Sequence, residues 1–82
     1  MIINLDKETI YEFARLSFLT KSYRSSYLAS FNDYYLQEYI KFYKKLLIFK
    51  FNLFKKLNTI GYSHYVIDVA NLRIIFQGEK ND

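Results

Sequence analysis

The chain has 82 residues, a formal net charge of +4 at pH 7 and no cysteine. A domain this short buries only about 60% of its unfolded surface, and without cysteine it has neither disulfides nor thiolate metal sites. The N-terminus turns polar and acidic at once, and the longest apolar run is Leu46–Phe49, which excludes a secretory signal and a membrane span and predicts a cytoplasmic protein.

The first residues predict a short strand and then a helix. Met1–Asn4 is suited to be an edge strand of a small sheet. Asp6 is expected to cap the helix, because its carboxylate can accept a free amide hydrogen of the first turn. The helix is expected to end near Lys21. Its core-facing stripe at helical spacing is Ile10, Phe13, Ala14 and Phe18.

Serines cluster in the next segment and indicate an interruption. Serine favours helix caps and turns over helix interiors, because its hydroxyl competes for backbone hydrogen bonds. We therefore expect a break near Ser22–Ser25, followed by a short second helix that ends at about Ala29.

A third, long helix is predicted from about Phe31 to Ile60, opened by a cap at Ser30 or Asn32. Gly61 is expected to be its left-handed C-cap residue. At 1.5 Å per residue this helix would be roughly 45 Å long, longer than a compact fold of this size. It is therefore expected to kink or to project into a partner.

After Gly61 the apolar period changes from helical to alternating, which predicts a β-hairpin. A two-residue turn at Ala70–Asn71 gives one wholly apolar face and one opposite-charge pair, and a one-residue shift or a bulge is the alternative register. The segment from Gly78 to Asp82 is expected to be a frayed tail. The opposed pairs are Val69–Leu72, Ile67–Ile74 and Tyr65–Phe76 on the apolar face, and Asp68–Arg73, Val66–Ile75 and His64–Gln77 on the other.

The predicted fold is a single α+β domain over residues 1–82. It has about three helices, the third long and basic, then a C-terminal antiparallel β-hairpin, with Met1–Asn4 as an optional edge strand. This order of elements resembles that of a winged helix-turn-helix, and the resemblance implies DNA binding through the third helix. It covers element order only: the long helix is about twice the length of a recognition helix and lacks its base-reading Arg, Asn and Gln side chains.

The net positive charge comes entirely from Tyr39–Asn58, which has six lysines and no Asp or Glu. Five of these lysines fall within an arc of roughly 120° on a helix, and they are called the lysine face below. This face is either only solvated, or a contact for nucleic acid, or a contact for an acidic protein surface. The lysine face consists of Lys41, Lys44, Lys45, Lys55 and Lys56.

The apolar arc of the same helix is about 200° wide, whereas an ordinary surface helix needs an apolar stripe of about 100°. We therefore expect a second copy of the chain to cover part of it, which predicts a homodimer. Lys50 lies near the centre of this arc and must snorkel outward, pair with Glu12 or Glu38, or mark a kink. The predicted dimer interface is Tyr43, Leu47, Phe51 and Phe54.

Tyrosines precede the lysine face, and Tyr34 and Tyr35 are predicted to join it in the binding surface, because tyrosine is enriched at binding hot spots. The alternatives are amphipathic rim residues raised in number by codon bias, or a platform that stacks single-stranded bases.

No catalytic, metal or cofactor site is predicted. His64 is the only histidine, and on a strand its neighbour Ser63 points to the opposite face. The acidic residues are scattered, and Gly61 and Gly78 are isolated, so the sequence has neither a metal-ligand cluster nor a phosphate-binding loop.

The amino-acid composition gives a further indication of the protein's origin. Phe, Tyr, Ile, Asn and Lys have AT-rich codons and make up half the chain. A small AT-rich reading frame without enzyme motifs is typical of phages and mobile elements. We therefore expect a non-enzymatic protein that modulates or inhibits a protein or nucleoprotein partner in the host cytoplasm, as accessory and anti-defence proteins do. The alternative is a winged-helix-like protein that binds nucleic acid through the lysine face.

Overall fold

The computed structural model describes residues 1–80. The class is α+β, and the expected edge strand and hairpin are present, but the prediction of three helices is wrong because there are two. The elements in chain order are β1 (Ile2–Asn4), α1 (Lys7–Ser30), α2 (Asp33–Leu57), β2 (Tyr62–Asp68) and β3 (Arg73–Lys80).

Helix α1 begins as predicted and continues through the predicted break. Asp6 is the N-cap, and its carboxylate accepts a hydrogen bond from the Thr9 amide at 3.1 Å. Neither the break near Ser22–Ser25 nor the short second helix exists. The resemblance to a winged helix-turn-helix fails with them, because the separate second helix is missing.

Two effects keep the polar end of α1 helical. The Ser30 hydroxyl donates a hydrogen bond to the Ser26 carbonyl at 2.8 Å, so this side chain finds its hydrogen-bond partner within the helix. In addition, Tyr23 stacks on Phe42 of α2, with ring centroids 5.6 Å apart. Packing against the second helix therefore outweighs the weak helix propensity of the serines.

The chain reverses between α1 and α2 over two residues. Phe31 adopts the left-handed conformation, with φ of 53°, and its amide donates to the Tyr27 carbonyl at 2.7 Å. Asn32 then caps α2 by accepting from the Tyr34 amide at 2.9 Å, so of the two predicted caps the chain uses this one. The result is an antiparallel helical hairpin.

Helix α2 ends three residues earlier than predicted. The left-handed C-cap residue is Asn58, with φ of 57°, so the assignment of that role to Gly61 is wrong. Asparagine tolerates this conformation better than other residues with a side chain. The Thr59 amide donates to the Phe54 carbonyl at 2.9 Å and turns the chain toward the sheet. At 25 residues, α2 is about 37 Å long and spans nearly the full 39 Å of the molecule.

The sheet is antiparallel with strand order β1-β3-β2, so the C-terminal strand is central. The predicted hairpin register is confirmed for every pair except Val69–Leu72, which lies outside the ladder. Strand β3 extends to Lys80, into the segment predicted to be a frayed tail, and Asn81 and Asp82 lie outside the described residues. The fraying stays a prediction. The confirmed pairs are Ile67–Ile74, Tyr65–Phe76, Asp68–Arg73, Val66–Ile75 and His64–Gln77.

The hairpin loop has four residues rather than two, from Val69 to Leu72. Leu72 takes a positive φ of 51°. The Asp68 carboxylate accepts hydrogen bonds from the Asn71 side chain at 2.9 Å and from Arg73 Nε at 2.8 Å. These bonds lower the pKa of Asp68 and stabilise a loop that lacks the usual Asn-Gly dipeptide.

Both helices pack on one face of the sheet around an aromatic centre. The Phe54 ring lies 5.9 Å from that of Phe13, 5.2 Å from Tyr65 and 5.1 Å from Phe76. Phe18, expected in the core stripe, is 69% exposed, because five residues after Phe13 it lies about 140° away around the helix. The buried apolar residues are Ile10, Phe13, Leu16, Phe54, Ile74 and Phe76.

The sheet covers only one end of the helical hairpin. No residue from Lys21 to Leu53 is buried, although this part of the hairpin is rich in aromatic side chains. The two helices there contact mainly each other, so much of their apolar surface remains exposed to solvent.

Candidate functional site

All five side chains of the lysine face are exposed along the solvent side of α2. Ile48 lies among them and is 65% exposed. The lysines recur at helical spacing on one side of α2, whereas Leu46, Phe49 and Leu53 on another side pack against the core. This part of the helix therefore presents a surface of a single sign of charge.

Two of these lysines interact electrostatically with carboxylates. Lys41 Nζ lies 3.5 Å from a carboxylate oxygen of Glu38. On α1, Arg15 donates to Glu12 and lowers the pKa of Glu12, and the nearby charge of Lys45 contributes to the same shift. The charges of Lys41 and Lys45 are thus partly compensated within the fold.

Of the other three lysines of the face, one interacts with a carboxylate and two do not. Hydrogen bonds from Thr9 lower the pKa of Asp6, and the charge of Lys56 adds to that effect. Lys44 and Lys55 have no carboxylate partner within residues 1–80. The uncompensated charge of the face is therefore concentrated at Lys44 and Lys55.

An apolar stripe runs along α2 beside these two lysines. Its four side chains fall within about 80° of the helix circumference, at positions i, i+3, i+7 and i+11. Phe54, predicted in the same interface, is only 6% exposed and lies in the core, so it is not part of this surface. The apolar stripe consists of Ile40, Tyr43, Leu47 and Phe51, which are 42%, 43%, 40% and 56% exposed.

A groove of about 260 Å³, called the anchor groove below, opens where the stripe meets the sheet. Lys50 Nζ lies 5.6 Å from the ring centroid of Tyr65 at its wall. Lys50 forms no ion pair with Glu12 or Glu38, the pairing predicted as one of its three arrangements, and its ammonium group lies over the Tyr65 ring instead. The groove is lined chiefly by Leu47, Lys50, Phe51, Ile60, Tyr62 and Tyr65.

The two tyrosines predicted to join the binding surface differ in exposure. Tyr34 is 57% exposed, and the neighbouring Tyr23 and Glu38 raise the pKa of its phenol. Tyr35 is half-buried and lies 6.3 Å from the Tyr23 ring. Only Tyr34 is therefore well placed to contact a partner from the turn end of α2.

Sequence reasoning missed two exposed residues of this region, Ile40 and Ile60, which are 42% and 52% exposed. The spacing of Ile40 from Tyr43 and Leu47 was a usable signal, since it continues the helical pattern by one turn. The position of Ile60 beside the groove depends on how the chain leaves α2, and periodicity does not predict that.

Features that would assign the chain to an established class of protein are scarce in the described residues. Neither α1 nor α2 has a stretch long and apolar enough to cross a bilayer. No cluster of three His, Asp or Glu side chains within residues 1–80 is arranged to hold a metal ion. Comparison of the chain with protein-family models, curated proteins and solved structures finds no match.

Proposed function

We propose that the chain is a small non-enzymatic protein that modulates or inhibits a macromolecular partner by binding an acidic protein surface against the solvent side of α2. The observation that carries this proposal is the uncompensated charge of the lysine face. Tyr39–Asn58 contains six lysines and no acidic residue, and Lys44 and Lys55 have no carboxylate partner within residues 1–80.

A surface of one charge sign steers an oppositely charged partner during diffusion and orients it before contact. Lysine suits this role, because its ammonium group is strongly hydrated and adapts to many geometries. Half of the chain consists of residues with AT-rich codons, which supports an accessory or anti-defence role encoded by a phage or mobile element and exercised in the host cytoplasm.

Nucleic acid is the second candidate partner. Lys41 and Lys56 are separated by about 22 Å along the helix axis, so the lysines of the face lie far enough apart to contact several phosphates. Two observations rank this candidate lower. The lysine face contains no arginine, the usual residue for phosphate and base recognition, and residues 1–80 form no helix-turn-helix.

Titration with a short fluorescein-labelled DNA duplex separates the two candidates. At a physiological salt concentration of about 0.15 M, we expect a Kd for DNA weaker than about 0.1 mM, the weak end of non-specific binding. If nucleic acid is the partner instead, three to five phosphate contacts give a slope of log affinity against log salt of roughly −3 to −4.5.

The double variant Lys44→Gln/Lys45→Gln completes this test. Phosphate binding predicts that the slope becomes shallower by nearly two, by about the same amount for every DNA sequence, because lysines read charge rather than bases. Sub-micromolar, sequence-selective affinity for DNA at that salt concentration would overturn the choice of a protein partner.

A further inference from the structure

We infer that the apolar stripe and the anchor groove together form a docking site for an amphipathic helix with acidic flanks, supplied by a partner protein. This inference rests on the proposed function and specifies the chemistry of the partner. It commits to a helix with one apolar seam, acidic residues on both sides of the seam and one large apolar side chain near its end.

The shape of the stripe favours a helical occupant. Its four side chains recur about once per turn and extend over roughly 16 Å along α2. A second helix laid along such a ridge matches the same repeat with its own apolar residues. Each stripe residue is at least 40% exposed, so each keeps a large part of its surface that neither α1 nor the sheet covers.

The charges on the two sides of the stripe specify acidic flanks. On the helical wheel, Lys44 and Lys55 border the stripe on one side and Lys50 borders it on the other. These three lysines have no carboxylate partner within residues 1–80. The partly compensated lysines, Lys41, Lys45 and Lys56, lie farther around the helix. The lysines of α2 that have no carboxylate partner within residues 1–80 are therefore those that a helix lying on the stripe would contact.

The anchor groove supplies a place for one side chain of the partner. Leu47 and Phe51 belong both to the stripe and to the groove wall, so the two surfaces are continuous. A volume of about 260 Å³ accommodates a side chain of the size of leucine or phenylalanine. Lys50, held over the Tyr65 ring, is placed to pair with a carboxylate next to that anchor.

A second copy of this chain fits the same site poorly. Both borders of the stripe carry lysine, so self-pairing through the stripe places lysine near lysine in either orientation. A parallel pair brings Lys44 or Lys55 close to Lys50 of the other copy, and an antiparallel pair brings like borders together. Like charges at such positions are destabilising. The homodimer expected from the sequence stays a prediction, and it is one outcome of the test below.

The test uses three synthetic helical peptides, measured by fluorescence anisotropy and by chemical-shift changes in the isotope-labelled protein. The first has a Leu/Phe seam with Glu flanks, the second has the same seam with Lys flanks, and the third has Glu flanks with an Ala seam. We expect the first to bind with a Kd on the order of 10 µM. The other two should bind at least about tenfold more weakly, since each lacks one half of the complementarity.

Matched variants locate the site. We expect Lys44→Gln/Lys55→Gln to weaken binding of the first peptide at least about tenfold, and Lys41→Gln/Lys45→Gln to weaken it less than about threefold, although both remove two charges. The apolar pair Leu47→Ala/Phe51→Ala should also weaken binding at least about tenfold. Phe18→Ala, on the exposed side of α1, should leave it unchanged.

The outcomes distinguish this inference from the proposed function. If the Ala-seam peptide binds as tightly as the first and both lysine pairs matter equally, the acidic partner stands and the docking site is wrong. If the Lys-flanked peptide binds as tightly as the first, the acidic partner itself is wrong. Failure of the first peptide to bind overturns the docking site. A dimer in light scattering that Leu47→Ala/Phe51→Ala converts to monomer assigns the stripe to a second copy and also overturns it.

Discussion

Phe54→Ala is expected to destabilise the fold by about 3–5 kcal/mol, the range for removing a buried phenylalanine. Phe54 contacts aromatic rings from α1, β2 and β3 and is 6% exposed, so the cavity forms where the helices meet the sheet. Small domains unfold with only about 5–15 kcal/mol, so this loss is a large share of the total. Urea denaturation followed by circular dichroism measures it.

Phe51→Ala is the matched control for this experiment. Phe51 lies three residues earlier in the same helix and is 56% exposed, so its removal should cost less than about 1 kcal/mol. Equal losses for the two variants would contradict the placement of Phe54 in the core and of Phe51 on the surface. A much larger loss at Phe51 would show that a second copy buries the stripe.

Ile74→Asp is expected to prevent folding altogether. Ile74 is fully buried in the central strand and pairs with Ile3 on one side and Ile67 on the other. A carboxylate there has no partner, and burying an unpaired charge costs at least several kcal/mol, comparable to the whole stability of a small domain. Loss of amide chemical-shift dispersion at 25 °C is the measurement.

Val66→Asp places the same charge on the opposite face of the sheet. Val66 is 46% exposed and faces away from the helices, so this variant should keep the fold. A folded Ile74→Asp variant, or an unfolded Val66→Asp variant, would show that the buried face of the sheet is assigned incorrectly.

The hairpin was the most predictable part of the fold. One of its faces is wholly apolar, and the register that aligns Ile67 with Ile74 also aligns Asp68 with Arg73. A shift by one residue would place apolar side chains on the exposed face. The loop was harder to predict, because its four residues are organised by side-chain bonds to Asp68 rather than by a recognisable turn dipeptide.

The helix boundaries were predicted less well, for reasons that lie outside local sequence. The serines after Lys21 suggest a break, but the hydroxyl of Ser30 bonds within the helix and Tyr23 stacks on the opposite helix. The end of α2 differs from the prediction for another reason, because Asn58 adopts the left-handed conformation that was assigned to Gly61. Tertiary packing decided the first boundary, and the choice between two permitted residues decided the second.

The candidate site was predictable in part. Helical spacing alone places the lysine face on one side of α2, and the structure leaves all five side chains exposed. The partial compensation of Lys45 and Lys56 was not predictable, because Glu12 and Asp6 approach from outside that helix. The difference in exposure between Phe51 and Phe54 was not predictable for the same reason. Both lie in the wide apolar arc, and only the position of the sheet decides which one is buried.

The central position of β3 has a consequence for how the molecule folds. The α1–α2 hairpin closes over two residues, whereas the Ile2–Ile75 pair closes a loop of roughly 70 residues, which costs more chain entropy and forms more slowly. We expect β1 to dock last, and its amides to exchange with solvent faster than those of β2. Equal protection of the two strands would contradict this order.

Until β1 docks, β3 is an unpaired edge that carries Ile74, Ile75 and Phe76, and such an edge can template aggregation. Three N-terminal residues therefore protect the nascent protein from self-association through its own sheet.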